Sequence, residues 1–196
     1  MKLIFATNNR YKFEEIKHTL GDVFQLVNLS DIGFYGEIPE THDTIEENAA
    51  EKALFIYNKF GIDCFADDTG LEIDALFGEP GVFSARYAGD NCSFDDNMNK
   101  VLEKMKGIKD RKARFRTVIA LIGHGNLKTF EGCVEGEILN HKSGTGGFGY
   151  DPVFRPDGYD LTFAQMSLAD KNRISHRAIA VNKLVDYLQN NYAITK

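Results

Sequence analysis

Four segments of the chain bring together residue types that can handle phosphate, a divalent metal or a planar ring. The first is Thr7-Asn8-Asn9-Arg10-Tyr11-Lys12, which lies between an apolar run and an amphipathic stretch. Its backbone N–H groups, its Asn side chains and Lys12 one turn into a helix can converge on phosphate oxygens. The same residues serve equally as an ordinary helix cap. The second is acidic: Glu40 with Glu46 and Glu47, then Asp67, Asp68 and Glu72. Asp67 and Asp68 at the end of an apolar strand place carboxylates where a core element meets a pocket, and hard oxygens there suit Mg2+ bound together with substrate phosphates. An acidic turn is the alternative, since Asp-Asp-Thr-Gly has good turn chemistry.

The third segment is glycine-rich. Gly144, Gly146 and Gly149 spell G-x-G-x-x-G, but Tyr150, Asp151 and Pro152 follow where a dinucleotide fingerprint requires a helix to open. A kinase loop fails too, because Asp151 stands where its valine belongs and no HRD or DFG element follows. What remains is a flexible backbone that presents Phe148, an aromatic face, and Asp151, a hydrogen-bonding edge; a glycine-rich turn with Phe148 in the core is the alternative. In the fourth segment, Lys171, Arg173, His176 and Arg177 gather four basic side chains at the start of the last helix. In a chain of net charge -6 such a cluster is an anion or base-edge site, or else a solvated helix end with a structural His176. No GxSxG, HExxH or Walker lysine motif is present, which removes the commonest serine-hydrolase, zincin and P-loop readings.

The elements that must position these groups are legible in part. Leu3 to Ala6 reads as a strand, and Phe13, Ile16 and Leu20 as a helix ending at Gly21. Thr44 and Glu47 form a Thr-x-x-Glu capping box for a second helix, which ends at Gly61 and carries Ala49, Ala53, Ile56, Tyr57 and Phe60 on its apolar face. Residues 62–66 are a buried strand delivering the acidic pair to its end, and Gly78 to Asp90 is a loop by its Gly and Pro content. Ser93 and Asp96 cap a third helix that stops at Gly107. Residues 112–122 and 127–139 flank Gly-His-Gly-Asn as a long-armed antiparallel hairpin. The last helix runs from Ser175 to Asn190, with Ala178, Val181, Leu184, Val185 and Leu188 facing the core. Alternating elements early and a hairpin in the middle predict a mixed sheet in an α/β fold.

A chain of 196 residues, 43% of them hydrophobic, can bury a substantial core as a single domain spanning 1–196. Its acidic balance argues against a nucleic-acid partner, so any nucleotide bound is small. Three widely spaced cysteines, Cys64, Cys92 and Cys133, indicate neither a disulfide framework nor a zinc site. The opening apolar run is too short for a secretory leader and no stretch is long enough to span a membrane, so a cytoplasmic location is expected.

Seven pieces in register resemble the Ham1-like family of inosine/xanthosine triphosphate pyrophosphatases: Thr7-Asn8-Asn9 with Lys12, Pro39-Glu40-Thr41, Glu47-Asn48-Ala49 with Lys52, Asp67-Asp68-Thr69-Gly70, Ser84-Ala85-Arg86-Tyr87, Phe148-Gly149-Tyr150-Asp151-Pro152, and Lys171-Asn172 with Ser175-His176-Arg177. The resemblance implies an elongated twisted sheet flanked by helices, two lobes around a nucleotide cleft, a homodimer and Mg2+ as cofactor. It implies hydrolysis of ITP, dITP and XTP to the monophosphate and pyrophosphate. Thr7, Asn9, Lys12 and Lys52 would handle phosphates, Glu40 and Asp68 the metal, and Asp68 would accept the proton. Thr69 would lie beside the substrate, and Phe148, Asp151, Lys171, His176 and Arg177 would recognise the base. Asn8, Arg10, Tyr11, Gly149 and Tyr150 belong to the same substrate-binding segments. Two departures, Asn8 and His42 where glycine is frequent, affect loops and remove no charged ligand. A Maf-like pyrophosphatase of other base preference and a non-catalytic nucleotide-binding protein are the competing readings. Val82, Phe83, Tyr87 and Ala88 put much apolar surface into the loop Pro80 to Asp90, expected near the dimer interface.

Overall fold

The computed structural model describes residues 2–20 and 25–192; the helix stop expected at Gly21 lies outside them. Seven strands form one sheet in the order β2-β1-β3-β5-β6-β7, with β4 paired to β3. The strands are β1 (Lys2–Phe5), β2 (Gln25–Val27), β3 (Cys64–Ile73), β4 (Pro80–Gly81), β5 (Lys112–Gly123), β6 (Asn126–Ile138) and β7 (Phe154–Pro156). The helices are α1 (Arg10–Leu20), α2 (Ile45–Phe60), α3 (Phe94–Lys104), α4 (Leu168–Ile174) and α5 (His176–Asn191). β1 runs parallel to β2 and β3, whereas β4 is antiparallel on β3 and β7 antiparallel on β6, so the sheet is mixed as expected.

Local chemistry explains most boundaries. Thr44 caps α2 by accepting from the Glu47 N–H, and at Ser93 both halves of a capping box with Asp96 are formed. β5 and β6 are joined by His124 and Gly125 alone, both at positive φ (51° and 77°), the geometry of a tight two-residue hairpin. The three cysteines are free thiols, and burial pushes Cys64 up to about 12.

Two readings are corrected. β3 does not stop at residue 66 but runs through the acidic pair to Ile73, because buried cations neutralise the two aspartates and let the ladder continue. The Leu168–Ile174 stretch is a helix of its own, capped by Ser167, so Lys171 and Arg173 sit on α4 rather than at the start of the last helix. The short strands β2, β4 and β7 carry too few residues for periodicity to reveal them.

The chain divides into two compact units, each with its own core. The first comprises the described residues of Met1–Asp68, Thr117–Gly132 and His176–Lys196; the second comprises Thr69–Arg116 and Cys133–Ser175. In the first, α1 packs on α5, and Leu3, Ile16, Ile119, Leu121, Val181 and Leu184 surround Phe5 and Phe65, whose rings stack at 4.6 Å. In the second, Ile73, Val101, Met105 and Ile138 surround Phe115, Phe154 and Phe163, with Phe115 edge-on to Phe154 at 4.7 Å. Aromatic pairs of this kind add to the burial free energy of each core.

Candidate functional site

Successive residues of a strand point to opposite faces, so Asp67 and Asp68, both buried inside β3, find different partners. Lys12, from the first turn of α1, sits 3.1 Å from both Asp67 oxygens. Arg177, from the first turn of α5, donates through Nε to Asp67 Oδ2 at 3.4 Å and pairs through its other arm with Glu15 of α1. Asp68 Oδ1 accepts from Lys52 Nζ at 2.9 Å, and the same ammonium donates to Glu40 Oε1 at 2.5 Å. Lys52 lies on the buried face of α2 with Asn48, where an apolar pattern predicts hydrophobic residues.

The environments push the two aspartates apart. Burial disfavours the ionised form of Asp67, but Lys12 and Arg177 outweigh it and hold the carboxyl at about 2. At Asp68 burial prevails over Lys52 and Lys12, with Glu40 adding repulsion, so its pKa is raised. Burial lowers Lys12 despite Asp67, whereas Asp68 and Glu40 overcome burial and raise Lys52. Two adjacent carboxylates of unlike proton affinity are suited to different tasks, Asp67 as a permanent anion and Asp68 as a group that can take a proton.

Asp67 therefore links stability to pH. Its folded value is depressed below the ordinary aspartate value of 3.8, so its contribution is complete above about pH 4 and is lost as pH falls toward 2. That contribution is on the order of 2 kcal/mol. Urea titrations between pH 5 and pH 2.5 should show wild-type stability falling more steeply than that of Asp67→Asn; parallel curves would remove Asp67 from the acid transition.

Asp68 Oδ2 is buried and has no hydrogen-bond partner among the described residues. An orphaned carboxylate oxygen is costly unless a ligand or water completes it. With Glu40 held on the same ammonium, it offers hard oxygen donors that fit Mg2+. No group of three His, Cys, Asp or Glu arranged for a metal occurs among the described residues, and two carboxylates completed by water and phosphate oxygens is how Mg2+ is commonly bound.

The segment before α1 is tied down locally. Asn9 Oδ1 accepts from the Tyr11 and Lys12 N–H groups at 3.0 and 3.2 Å, and the Asn9 N–H donates to Thr7 Oγ1 at 3.1 Å. Asn8 Nδ2 donates to Gly36 O at 3.0 Å, and Arg10 and Tyr11 are exposed. Asn9 thus caps the helix, which fixes Lys12 where it meets Asp67.

A second cluster lies in the second unit. Asp151, 2% exposed, accepts from the Phe148 N–H at 2.9 Å and from Lys171 Nζ at 2.6 Å. That ammonium lies 5.0 Å from the centroid of the half-buried Phe148 ring. Gly147 has φ of 68°, and a Cβ there would fall 2.0 Å from Asp151 Oδ2, so only glycine admits this carboxylate. Tyr150 donates to Ser84 O at 2.9 Å, tying the Ser84-Ala85-Arg86-Tyr87 segment to the glycine-rich one; Gly149 is half-buried beside it.

The residues expected to recognise the base therefore divide. Phe148, Asp151 and Lys171 come together in the second unit, while His176 and Arg177 are buried at the start of α5 in the first, Arg177 on Asp67 and Glu15. Thr69 follows Asp68 directly and is half-buried. Sequence reasoning missed Glu15, whose only signal was a carboxylate beside Ile16 on the apolar stripe of α1, and the pairing of Asp67 with Lys12.

A model of the Ham1 family matches residues 3–187. The dITP/XTP pyrophosphatase of Christiangramia forsetii is 54% identical over 188 residues, covering 96% of this chain and 99% of that relative. That of Porphyromonas gingivalis is 53% identical over 188 residues, covering 95% and 97%. Among solved structures, the Ham1 protein of Staphylococcus aureus is similar with a TM-score of 0.88 at 40% identity, covering 97% of this chain and 99% of that one. A HAM1 protein from Coxiella burnetii gives 0.89 at 36%, with the same coverage.

Proposed function

The chain belongs to the Ham1 family, and on that premise we propose that it hydrolyses non-canonical purine nucleoside triphosphates (ITP, dITP and XTP) to the monophosphate and pyrophosphate, with Mg2+, in the cytoplasmic nucleotide pool. The observation that carries the reading is the Asp67–Asp68 pair, one aspartate locked as an anion by Lys12 and Arg177, the other of raised proton affinity with an oxygen unsatisfied.

Glu40 and Asp68 would hold the metal, which neutralises phosphate charge when bound. Lys12 and Lys52 offset the charge of the triphosphate, and Asp68 orients the attacking water and accepts its proton. Asp67 does not react; it fixes Lys12. Phe148 offers a stacking face, and Lys171, oriented by Asp151, donates to the 6-keto oxygen of hypoxanthine or xanthine. Adenine presents an amino donor at that position, which leaves both sides unpaired.

Pyrophosphate release from ITP, XTP, dITP, GTP and ATP, with Mg2+ and with EDTA, tests this. The three non-canonical substrates should turn over only with metal, and ATP should be slower by about two orders of magnitude or more. Equal turnover of ATP, or release of orthophosphate, rejects the reading.

The homodimer belongs to the same proposal. Of the apolar residues expected on the loop Pro80 to Asp90, Tyr87 is instead buried in the core of the second unit, while Phe83 is 51% exposed and Phe77, just before the loop, fully so; these two rings are the surface that supports the dimer. Among the described residues no helix is long and apolar enough to cross a membrane. Small-angle scattering at micromolar concentration should give about twice the chain mass of 22.0 kDa, and a monomer mass rejects the dimer.

A further inference from the structure

Glu40 sits in a stretch, residues 33–44, that has neither helix nor strand. Four hydrogen bonds nevertheless fix the two residues that follow it. The Thr41 N–H and Thr41 Oγ1 each donate to the Glu51 carboxylate at 2.8 Å, one bond to each oxygen. The His42 N–H donates to Asn48 Oδ1 at 2.9 Å, and Asn48 Nδ2 returns a bond to His42 O at 3.0 Å. Asn48, Glu51 and Lys52 stand at i, i+3 and i+4 on α2 and share one side of it. The helix that carries the ammonium bridging Glu40 and Asp68 thus also carries the two groups that clamp the chain next to Glu40.

We propose that Glu51 is a positioning residue for the hydrolytic reaction: supported by Asn48, it clamps Thr41 and thereby holds the Glu40 carboxylate on Lys52 beside Asp68. The inference rests on the function proposed above. Glu51 feels the charges of Lys52 and His42, but its hydrogen bonds go to Thr41, and it is through Thr41 that it acts on Glu40. Bidentate, charge-assisted bonds are the strongest available from a side chain to a loop, and a catalytic carboxylate misplaced by an ångström loses much of its effect. The Glu51 side chain reaches solvent, 21% exposed, and lies outside both apolar cores, so its truncation should leave the fold intact.

The test uses Glu51→Ala, Glu51→Gln, and Glu51→Ala combined with Glu40→Gln. Glu51→Ala should lower kcat for ITP about tenfold with KM within about twofold, because the substrate's own contacts are untouched. Hydrogen exchange on the nucleotide-free protein should show the Thr41 and His42 amides exchanging at least about tenfold faster, with the melting temperature little changed. Glu51→Gln should restore both readouts, since its carbonyl oxygen can accept the Thr41 N–H and its amide can donate to Thr41 Oγ1. In the Glu40→Gln background, adding Glu51→Ala should cost nothing further. Faster exchange with unchanged kcat would mean a clamp without catalytic consequence and overturn the proposal, as would equal losses in the Glu40→Gln background. An inactive wild-type protein overturns this inference and the proposed function together, whereas an active wild type with an unaffected Glu51→Ala overturns this inference alone.

Discussion

Asp68→Asn is expected to leave the fold intact and to reduce ITP turnover by about 10²- to 10⁴-fold, the range contributed by a positioned general base. The substitution keeps shape and one acceptor, so the contact from Lys52 at 2.9 Å can persist through the amide oxygen. It removes the negative charge and the proton affinity that burial has raised. A carboxyl whose folded pKa is raised opposes folding when ionised, so the neutral variant should melt at or above the wild-type temperature. Lys52 keeps Glu40 as a counter-ion. Circular dichroism melting and pyrophosphate release on one preparation check both halves. A folded Asp68→Asn protein with near-wild-type turnover would take the base role away from Asp68.

Arg177→Ala should have the opposite profile, with stability as its largest effect. The guanidinium is 2% exposed and bridges Glu15 and Asp67, two carboxylates that are themselves buried. Removing it takes the Arg177 bridge away from buried Glu15 and weakens the set that holds Asp67 at about 2. Breaking a buried pair from one side costs roughly 3–5 kcal/mol. For a chain of this size that is a fall of about 10 °C in melting temperature. A change under about 2 °C would show that the bridge contributes little. Below the melting range, kcat/KM for ITP and ATP can be compared: a loss confined to ITP adds base reading to the structural role, and equal losses leave that role alone.

The two variants separate what the strand joins. Asp67 and Asp68 are covalent neighbours, yet one partners Lys12 and Arg177 and the other Lys52, the ammonium that also holds Glu40. Turn chemistry at Asp-Asp-Thr-Gly was a sound local inference, and it gave way because buried cations made the charges tolerable inside a strand. The apolar pattern of α2 was right about Ala49, Ala53 and Ile56, but Asn48 and Lys52 share that buried face because each has a polar partner waiting. Glu51 was invisible for a similar reason: a glutamate on a helix surface reads as solvated until the loop it holds is known.

What the sequence by itself determined is the local grammar and the family. Thr44 and Ser93 mark helix starts, His124-Gly125 turns a hairpin, and seven short pieces in register place the chain among the Ham1 proteins, since each signal depends on residues a few positions apart. Only the tertiary structure decided which charge neutralises which. Lys12 meets Asp67 across 55 positions, Arg177 meets Asp67 across 110 and Glu15 across 162. A buried carboxylate's proton affinity depends on burial and on charges within a few ångströms, and in these pairs folding, not chain order, brought the charges together.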